Sequence, residues 1–501
     1  MISFILSLIA LFAGYFFYGR FVERVFGPDD RLTPAVAKAD GMDFVVLPNW
    51  KVFMIQFLNI AGTGPIFGAI MGAKFGPAAY LWIVFGCIFA GATHDYLSGM
   101  LSIRNDGASL PELVGKYLGG VTKQVLLVFS IFLLLMVGVV FVFSPATILG
   151  NITTPFFGAD ATTVTLGWCL VVFGYYIIAT MLPIDKIIGR IYPVFAISLL
   201  FMAVALMVVL LMKWPQLPEL WDGLANRNPK SGTIFPMLFI TIACGAISGF
   251  HATQTPLMAR CVKSERMGRP IFYGAMITEG IVALIWATVS SYFFYGGAAA
   301  ELGKDLSLNA PQVVTAVSQG WLGVFGGILA MLGVVAAPIT SGDTAFRSAR
   351  LIIAEFLHME QRSIMKRIYI CVPLFGLALL LLWFNISDKD GFEKIWGWFG
   401  WANQTLAVFV LWTLTVYLAR RRKPFVITLV PAIFMTTVCS AYLAVAPSAF
   451  GLPTVVGTVV AIVAAIVSVV WFCLWYTHTK MKNEDFAASE DCPTPQKKTL
   501  K

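Results

Sequence analysis

Charge is what this 501-residue chain has little of. Only 12% of its residues are Asp, Glu, Lys or Arg, and 58% are hydrophobic. A soluble domain carries about 25% charged residues. Mean hydropathy is +0.82. These values exclude a soluble multidomain enzyme, a disordered chain and a nucleic-acid binder, and leave a polytopic helical membrane protein. The signatures of catalysis are also missing. There is no glycine loop followed by Lys-Ser/Thr, no HExxH and no GxSxG. No polar stretch exceeds about 35 residues, so an ATP-driven motor has nowhere to sit and an ion gradient must supply the energy. No catalytic residue and no cofactor are expected. Cys87, Cys169, Cys244, Cys371, Cys439 and Cys473 lie inside apolar runs with no CxxC pair. They read as small buried side chains, not disulfides or metal ligands.

A bilayer crossing needs about 20 apolar residues. Thirteen runs qualify: 2–18, 52–72, 79–97, 125–145, 162–182, 191–212, 233–257, 271–295, 321–340, 368–384, 395–418, 425–446 and 454–477. The first has Arg20 and Arg24 behind it and no basic residue before it. It therefore reads as a span with its N-terminus outside, not as a cleaved signal. With alternation from there, 28 of the 35 lysines and arginines fall on inner segments. The outer segments hold Lys74, Lys213, Arg227, Lys230, Lys304, Lys389 and Lys394. That bias follows the positive-inside rule and puts the C-terminus in the cytoplasm of a cell whose plasma (inner) membrane holds the protein.

Two runs contain helix-breaking clusters. The second reads Asn59-Ile60-Ala61-Gly62-Thr63-Gly64-Pro65; the seventh carries Gly245, Ser248, Gly249, His251, Gln254 and Pro256. Unwound backbone at membrane depth survives where it is buried or lines a wet cavity; close helix packing through small residues is the alternative. Pro65 suits the first turn of a fresh half-helix. The two broken runs point in opposite directions, and each opens a block of five. Paired breaks of this kind mark an inverted-repeat secondary transporter. The expected architecture is all-α: about 13 transmembrane helices in a five-plus-five inverted repeat of the LeuT or amino acid–polyamine–organocation type. One extra helix precedes the repeat and two follow it. The expected divisions are 1–51 for the first helix and a basic loop, 52–212 and 233–418 for the two repeats with an outer loop at 213–232, 419–478 for the last helices and 479–501 for the tail. Backbone N–H groups at the half-helix starts suit a carboxylate. Asn59, Gly62, Thr63, Gly64, Gly245, Ser248, Gly249 and Gln254 are therefore the candidate substrate-binding residues.

Ionisable residues inside spans are functional candidates by default. His94, Asp95, His251 and Glu279 qualify, with Asp343 just past the ninth run. At 1.5 Å per residue Glu279 lies roughly 12 Å from the inner end of its span, and all five fall in the cytoplasmic half. Interfacial solvation, or pairing with Arg104 or Arg347, is the other reading for Asp95 and Asp343. Glu279 has no basic neighbour on its own span, and a carboxylate away from water can bind and release a proton near neutral pH. Thr340, Ser341 and Thr344 offer hydroxyl oxygens suited to sodium; hydroxyls bonding back to their own helix are the alternative. Gly342 favours an unwound segment there. The coupling ion is thus H+ or Na+, and no other metal is expected.

These stretches resemble the carbon starvation protein A family. The matching segments are Asp40-Gly41-Met42-Asp43-Phe44, Ile60 through Ile66, Gly91-Ala92-Thr93-His94-Asp95-Tyr96, Ser102 through Leu110, Ala243 through Cys261, Gly274 through Gly280, Ile339 through Arg347 and Phe399-Gly400-Trp401-Ala402-Asn403-Gln404-Thr405. The resemblance implies uptake of peptides or of small carboxylates such as pyruvate when carbon runs short. Longer members carry a histidine pair where Ile55 and Gln56 stand here, and Asn59 replaces a small residue, which fits a short branch. The expected partners are a small-molecule substrate and membrane lipid, with no nucleic acid. A nutrient sensor that keeps the fold is the alternative to a transporter.

Overall fold

The computed structural model describes every residue except 40–43, 182–187, 229–231, 358, 360–363, 389 and 482–501. Among the described residues the fold is all helix. The tail from residue 482, with Cys492, and the start of the Asp40–Phe44 stretch lie outside them.

The chain opens with α1 (Ile2–Phe26), followed by the bent pair α2 (Asn49–Ile60) and α3 (Gly64–Ala73), then α4 (Ala78–Arg104). A short helix, α5 (Leu110–Leu118), precedes the long α6 (Gly120–Phe157). α7 (Ala161–Met181), α8 (Ile188–Lys213), α9 (Gly249–Ala259), α10 (Glu265–Tyr295) and α11 (Ala310–Phe356) follow. The last four are α12 (Ile364–Ser387), α13 (Gly391–Arg420), α14 (Val426–Val445) and α15 (Thr454–Met481).

Among the described residues, eleven helices are long and apolar enough to cross a membrane, and the bent pair raises this to twelve. The remaining expected span, 233–257, is not one helix. Its first part is the short stretch Ile234–Leu238 with Phe239–Thr241, its second is α9, and residues 242–248 between them are unwound. Each part is too short to count as a crossing by itself. Gly245 and Gly249 carry the highest backbone entropy and the poorest helix propensity of this stretch.

Depth in the bundle follows composition. The most apolar windows of α4 and α10 are 83% buried, whereas that of α15 is 17% buried. Trp286, Tyr96 and Tyr273 sit fully buried in the first two helices. α15 instead turns Val455, Ile462, Val467 and Trp471 outward, the apolar surface expected of a helix at the bundle's lipid-facing edge.

Small residues set the central contacts. Gly64, Gly68 and Gly72 recur at four-residue spacing, so they form one stripe on α3. A Cβ on Gly64 would overlap the Cys244 side chain, one on Gly68 would stand 2.9 Å from the Thr241 carbonyl oxygen, and one on Gly72 would overlap Ile242. The stripe lets α3 lie flat on the unwound segment 242–248. From the opposite side, a Cβ on Gly86 would stand 2.8 Å from the Ala246 methyl, and one on Gly91 would overlap the Ala246 carbonyl.

The ninth run departs from expectation. α11 kinks at Gly323 (φ +65°) and then continues unbroken through Thr340, Ser341, Gly342, Asp343 and Thr344. Gly342 is helical, not unwound. A Cβ there would overlap the Tyr176 ring, so glycine serves close packing of α7 on α11. Tyr176 in turn donates its hydroxyl hydrogen within reach of the Phe141 and Pro338 carbonyls, at 2.8 and 3.0 Å.

At one end of the bundle, ion pairs join α1, α4 and the start of α10. Buried Glu265 receives Arg104 through Nε and Nη2, both at 3.0 Å, and the Asp29 backbone N–H at 3.1 Å. Arg269 reaches Glu23 at 2.7 Å. The Arg31 side chain, hydrogen-bonded to Asp29, holds that carboxyl down at about 2. The next turn is closed by α5, whose capping box pairs Ser109 with Glu112, worth about 1 kcal/mol.

Candidate functional site

The first break occupies Ala61–Thr63, where α2 and α3 meet at 47°. Pro65 sits in the first turn of α3, where its missing N–H costs nothing. Asn59, Gly62, Thr63 and Gly64 are all buried here. A Cβ on Gly62 would stand 3.3 Å from the Phe141 ring and 3.8 Å from Ser341 Oγ, so the break faces α6 and α11. Three side chains around it bring buried polar atoms with no hydrogen-bond partner among the described residues: Gln56 on α2, Thr63 in the break and Ser341 on α11.

The second break is held from outside. Trp82 Nε1 donates to the Ile242 carbonyl at 3.0 Å, Trp396 Nε1 to the Thr241 carbonyl at 3.4 Å, and Gln404 Nε2 to the Phe239 carbonyl at 3.3 Å. Asn403 Oδ1 accepts the Phe250 backbone N–H at 2.8 Å and the Ser248 hydroxyl at 3.0 Å. A side chain from α13 therefore caps α9, where Ser248 itself makes no cap. Gly249 permits this, since a Cβ there would overlap the α13 backbone, and a Cβ on Gly245 would meet the Ala283 methyl at 2.5 Å. Both breaks are thus closely packed through small residues. Gln254 lies one turn into α9, with Nε2 on Thr253 Oγ1 at 3.1 Å and Oε1 unpartnered among the described residues. Sequence reasoning did not select Asn403, Trp82 or Trp396. The signal for Asn403 was present, as consecutive amides Asn403-Gln404 inside an apolar run.

Beside the second break, α4, α9 and α10 bring four ionisable side chains together, all fully buried. Asp95 is the centre. His94 Nδ1 lies 2.7 Å from its Oδ1, and His251 Nδ1 lies 2.8 Å from its Oδ2. His251 Nε2 approaches Glu279 Oε2 at 3.3 Å, without the alignment of a hydrogen bond. Each Nδ1 facing Asp95 must carry hydrogen to donate, which assigns the tautomer from its partner. The result is one continuous path, Glu279 to His251 to Asp95 to His94, along which protons can be held and passed. Two carboxylates out of water are costly unless charge compensates them, and among the described residues the groups placed to do so are the two imidazoles. Glu279, which has no basic neighbour on its own helix, finds one on α9. Asp95 does not pair with Arg104, which is taken by Glu265.

Thr340, Ser341, Asp343 and Thr344 form a separate group on α11. Thr340 Oγ1 donates to Ala337 O and Thr344 Oγ1 to Ser341 O, both at 2.9 Å. The hydroxyl hydrogens of Thr340 and Thr344 thus go to their own helix, the local bonding such residues favour. Asp343 is buried and pairs with Arg347 at 3.5 Å. It does not join the histidine–carboxylate path.

Comparison with known proteins decides the lineage. The sequence signature described as "Carbon starvation protein CstA" matches residues 1–164, 138–320 and 298–441. The chain belongs to the CstA family. A membrane protein of Haemophilus influenzae is 45% identical over 59% of this chain and 91% of its own length. The peptide transporter CstA of Campylobacter jejuni is 27% identical over 84% of this chain and 76% of that protein. The pyruvate/proton symporter BtsT of Escherichia coli is 24% identical over 82% and 76%. Among solved structures, the Eremococcus coleocola manganese transporter superposes with a TM-score of 0.55 at 11% identity, covering 88% of this chain and 98% of that one. MhsT bound to L-phenylalanine gives 0.52 at 12% identity, covering 84% and 99%. At these identities the structures establish the fold alone. The CstA-family chain is a multi-pass membrane protein with a transporter fold.

Proposed function

We propose that this CstA-family chain is a secondary active transporter that imports short peptides or small carboxylates such as pyruvate, driven by protons, when carbon is scarce. The observation that carries this reading is the buried path Glu279–His251–Asp95–His94, which ties α4 and α10 to the start of the second half-helix. A proton added to or removed from that path changes the electrostatics beside the unwound segment, and so couples protonation to the backbone that a substrate would touch. Asn59, Gly62, Thr63 and Gly64 at the first break, with Gly245, Ser248, Gly249 and Gln254 at the second, are the proposed substrate contacts. Relatives named as a peptide transporter and a pyruvate/proton symporter support this direction.

The proposed setting is the inner (plasma) membrane, with the N-terminus outside and the tail in the cytoplasm. The charge bias of the loops supports it. An impermeant thiol reagent should then leave Cys492 unlabelled in intact cells. The proposed repeats are 52–212 and 233–418, flanked as the sequence divides them.

Uptake of labelled pyruvate and of labelled dipeptides into proteoliposomes tests the function. Accumulation should follow an inward proton gradient. A second reading, sodium coupling through Thr340, Ser341 and Thr344, is favoured by the Ser341 hydroxyl, which faces Gly62 without a partner among the described residues. Uptake that requires sodium, ignores the pH gradient and survives Glu279→Gln would overturn the proton reading.

A further inference from the structure

We propose that Cys244, His251 and Glu279 form a binding site for a zinc-class transition-metal dication, with a thiolate, an imidazole Nε2 and a carboxylate as ligands and a fourth position open. The sequence alone gave Cys244 no such role. All three residues are buried, and their ligand atoms lie within 4.8 Å of one another. A tetrahedral ion with bonds of about 2.0–2.3 Å holds its ligand atoms roughly 3.3–3.8 Å apart. The longest separation therefore needs to close by only about 1 Å. Among the described residues this is the one group of three or more such side chains so placed.

The unused atoms point the same way. His251 Nε2 and both Glu279 oxygens are buried without a hydrogen-bond partner among the described residues. His251 is already oriented as a ligand would be, because Nδ1 faces Asp95 at 2.8 Å and leaves Nε2 toward Glu279. A histidine held by a carboxylate on its far nitrogen is the usual outer arrangement of a protein metal site. Asp95 is itself fixed by His94. Asn403 Nδ2 lies 3.4 Å from Cys244 Sγ and can steady a thiolate.

The donor set selects the ion. One sulfur and one imidazole disfavour magnesium and calcium and suit zinc or cobalt. On coordination the Cys244 S–H bond is replaced by a sulfur–metal bond and its proton passes to solvent. Thiolate and carboxylate together balance the dication. Because Cys244 belongs to the unwound segment, His251 to α9 and Glu279 to α10, a bound ion would staple the second break to its neighbours. Transport would stop while it stayed.

Cobalt(II) titration of the purified full-length chain tests this. A thiolate-to-cobalt charge-transfer absorption should grow to one equivalent and be absent in Cys244→Ser. It should persist in a variant whose other cysteines are all serine. Where that variant fails to fold, the wild type minus Cys244→Ser difference spectrum decides alone. In proteoliposome counterflow, zinc should inhibit the wild type. Cys244→Ser, exchanging at the wild-type rate without metal, should need at least about tenfold more zinc. No charge-transfer band, or equal zinc inhibition of both proteins, would overturn the proposal. The absorption needs no transport, so the metal site stands or falls separately from proton coupling.

Discussion

The two breaks look alike as sequence and differ as chemistry. The first is three residues long, and the polar groups around it, Gln56, Thr63 and Ser341, have buried atoms without partners among the described residues. The second is seven residues long, yet Trp82 satisfies its Ile242 carbonyl, Asn403 holds the α9 N-terminus, and Trp396 and Gln404 hold the Phe239–Thr241 turn before it. A buried polar group left unsatisfied costs about 1–3 kcal/mol. The first break therefore stores a demand for polar partners that a ligand can meet. The second is braced, and the atoms beside it without hydrogen-bond partners among the described residues, Gln254 Oε1, His251 Nε2 and both Glu279 oxygens, lie on α9 and α10 and not in the break itself. The two breaks thus differ in where that demand sits: at the first it surrounds the break, and at the second it lies on the ionisable path.

The strongest way to break the comparison is to fill the point where the two breaks touch. Gly64→Leu drives a side chain into Cys244 and separates α3 from the unwound segment. Uptake and counterflow should both be abolished, while the protein still inserts and is extracted as a monodisperse species. Gly62→Leu, pressed on Phe141, should also stop uptake. Normal transport by both variants would reduce the first break to packing.

A narrower cut separates coupling from binding. Glu279→Gln keeps the shape of α10 and removes an ionisable end of the path. Uptake driven by a pH gradient should be lost, and substrate counterflow at equal pH should continue. Loss of both modes would mean that Glu279 serves structure or substrate contact instead.

The brace itself gives the third and smaller effect. Asn403→Ala leaves the Phe250 N–H and the Ser248 hydroxyl without their acceptor, at a cost of about 1–3 kcal/mol. The thermal midpoint should fall by several degrees, with uptake reduced but still proton-driven. An unchanged midpoint would show that the second break does not need the brace.

What could be read from the chain alone follows from the range of the interactions involved. Apolar run length and loop charge are local, so the helical membrane class was legible, and eleven of the thirteen expected crossings appear as single helices. Gly62-Thr63-Gly64-Pro65 announced its bend because glycine and proline act on their own backbone. The pairing of Asp95 with His251, 156 residues away, was beyond reach, because periodicity does not tell which helices meet. The same limit left Glu279 apparently alone and left open whether Arg104 pairs with Asp95; it pairs with Glu265. On α11, Gly342 read as a breaker because its local propensity is poor; its packing against Tyr176 overrides that. Asn403 and Gln404 were visible as polar residues in an apolar run, but their targets belong to another helix.

The smallest expected effect is also the one that sharpens the choice of ion. Ser341 Oγ is buried near the first break without a partner among the described residues, and Thr340 and Thr344 beside it spend their hydrogens on their own helix. If protons drive transport, Ser341→Ala removes an unsatisfied group and leaves the path through Glu279 intact. Uptake should then stay within about twofold of wild type, a barrier change of about 0.4 kcal/mol, and stability should hold or rise slightly. If sodium is bound there, the same substitution removes an oxygen ligand and the sodium concentration for half-maximal uptake should climb. Measuring uptake against sodium at fixed pH, then against pH at fixed sodium, separates the cases in one variant. A sodium-independent rate that Ser341→Ala leaves unchanged places the coupling at the second break, where Asp95 and Glu279 meet His251.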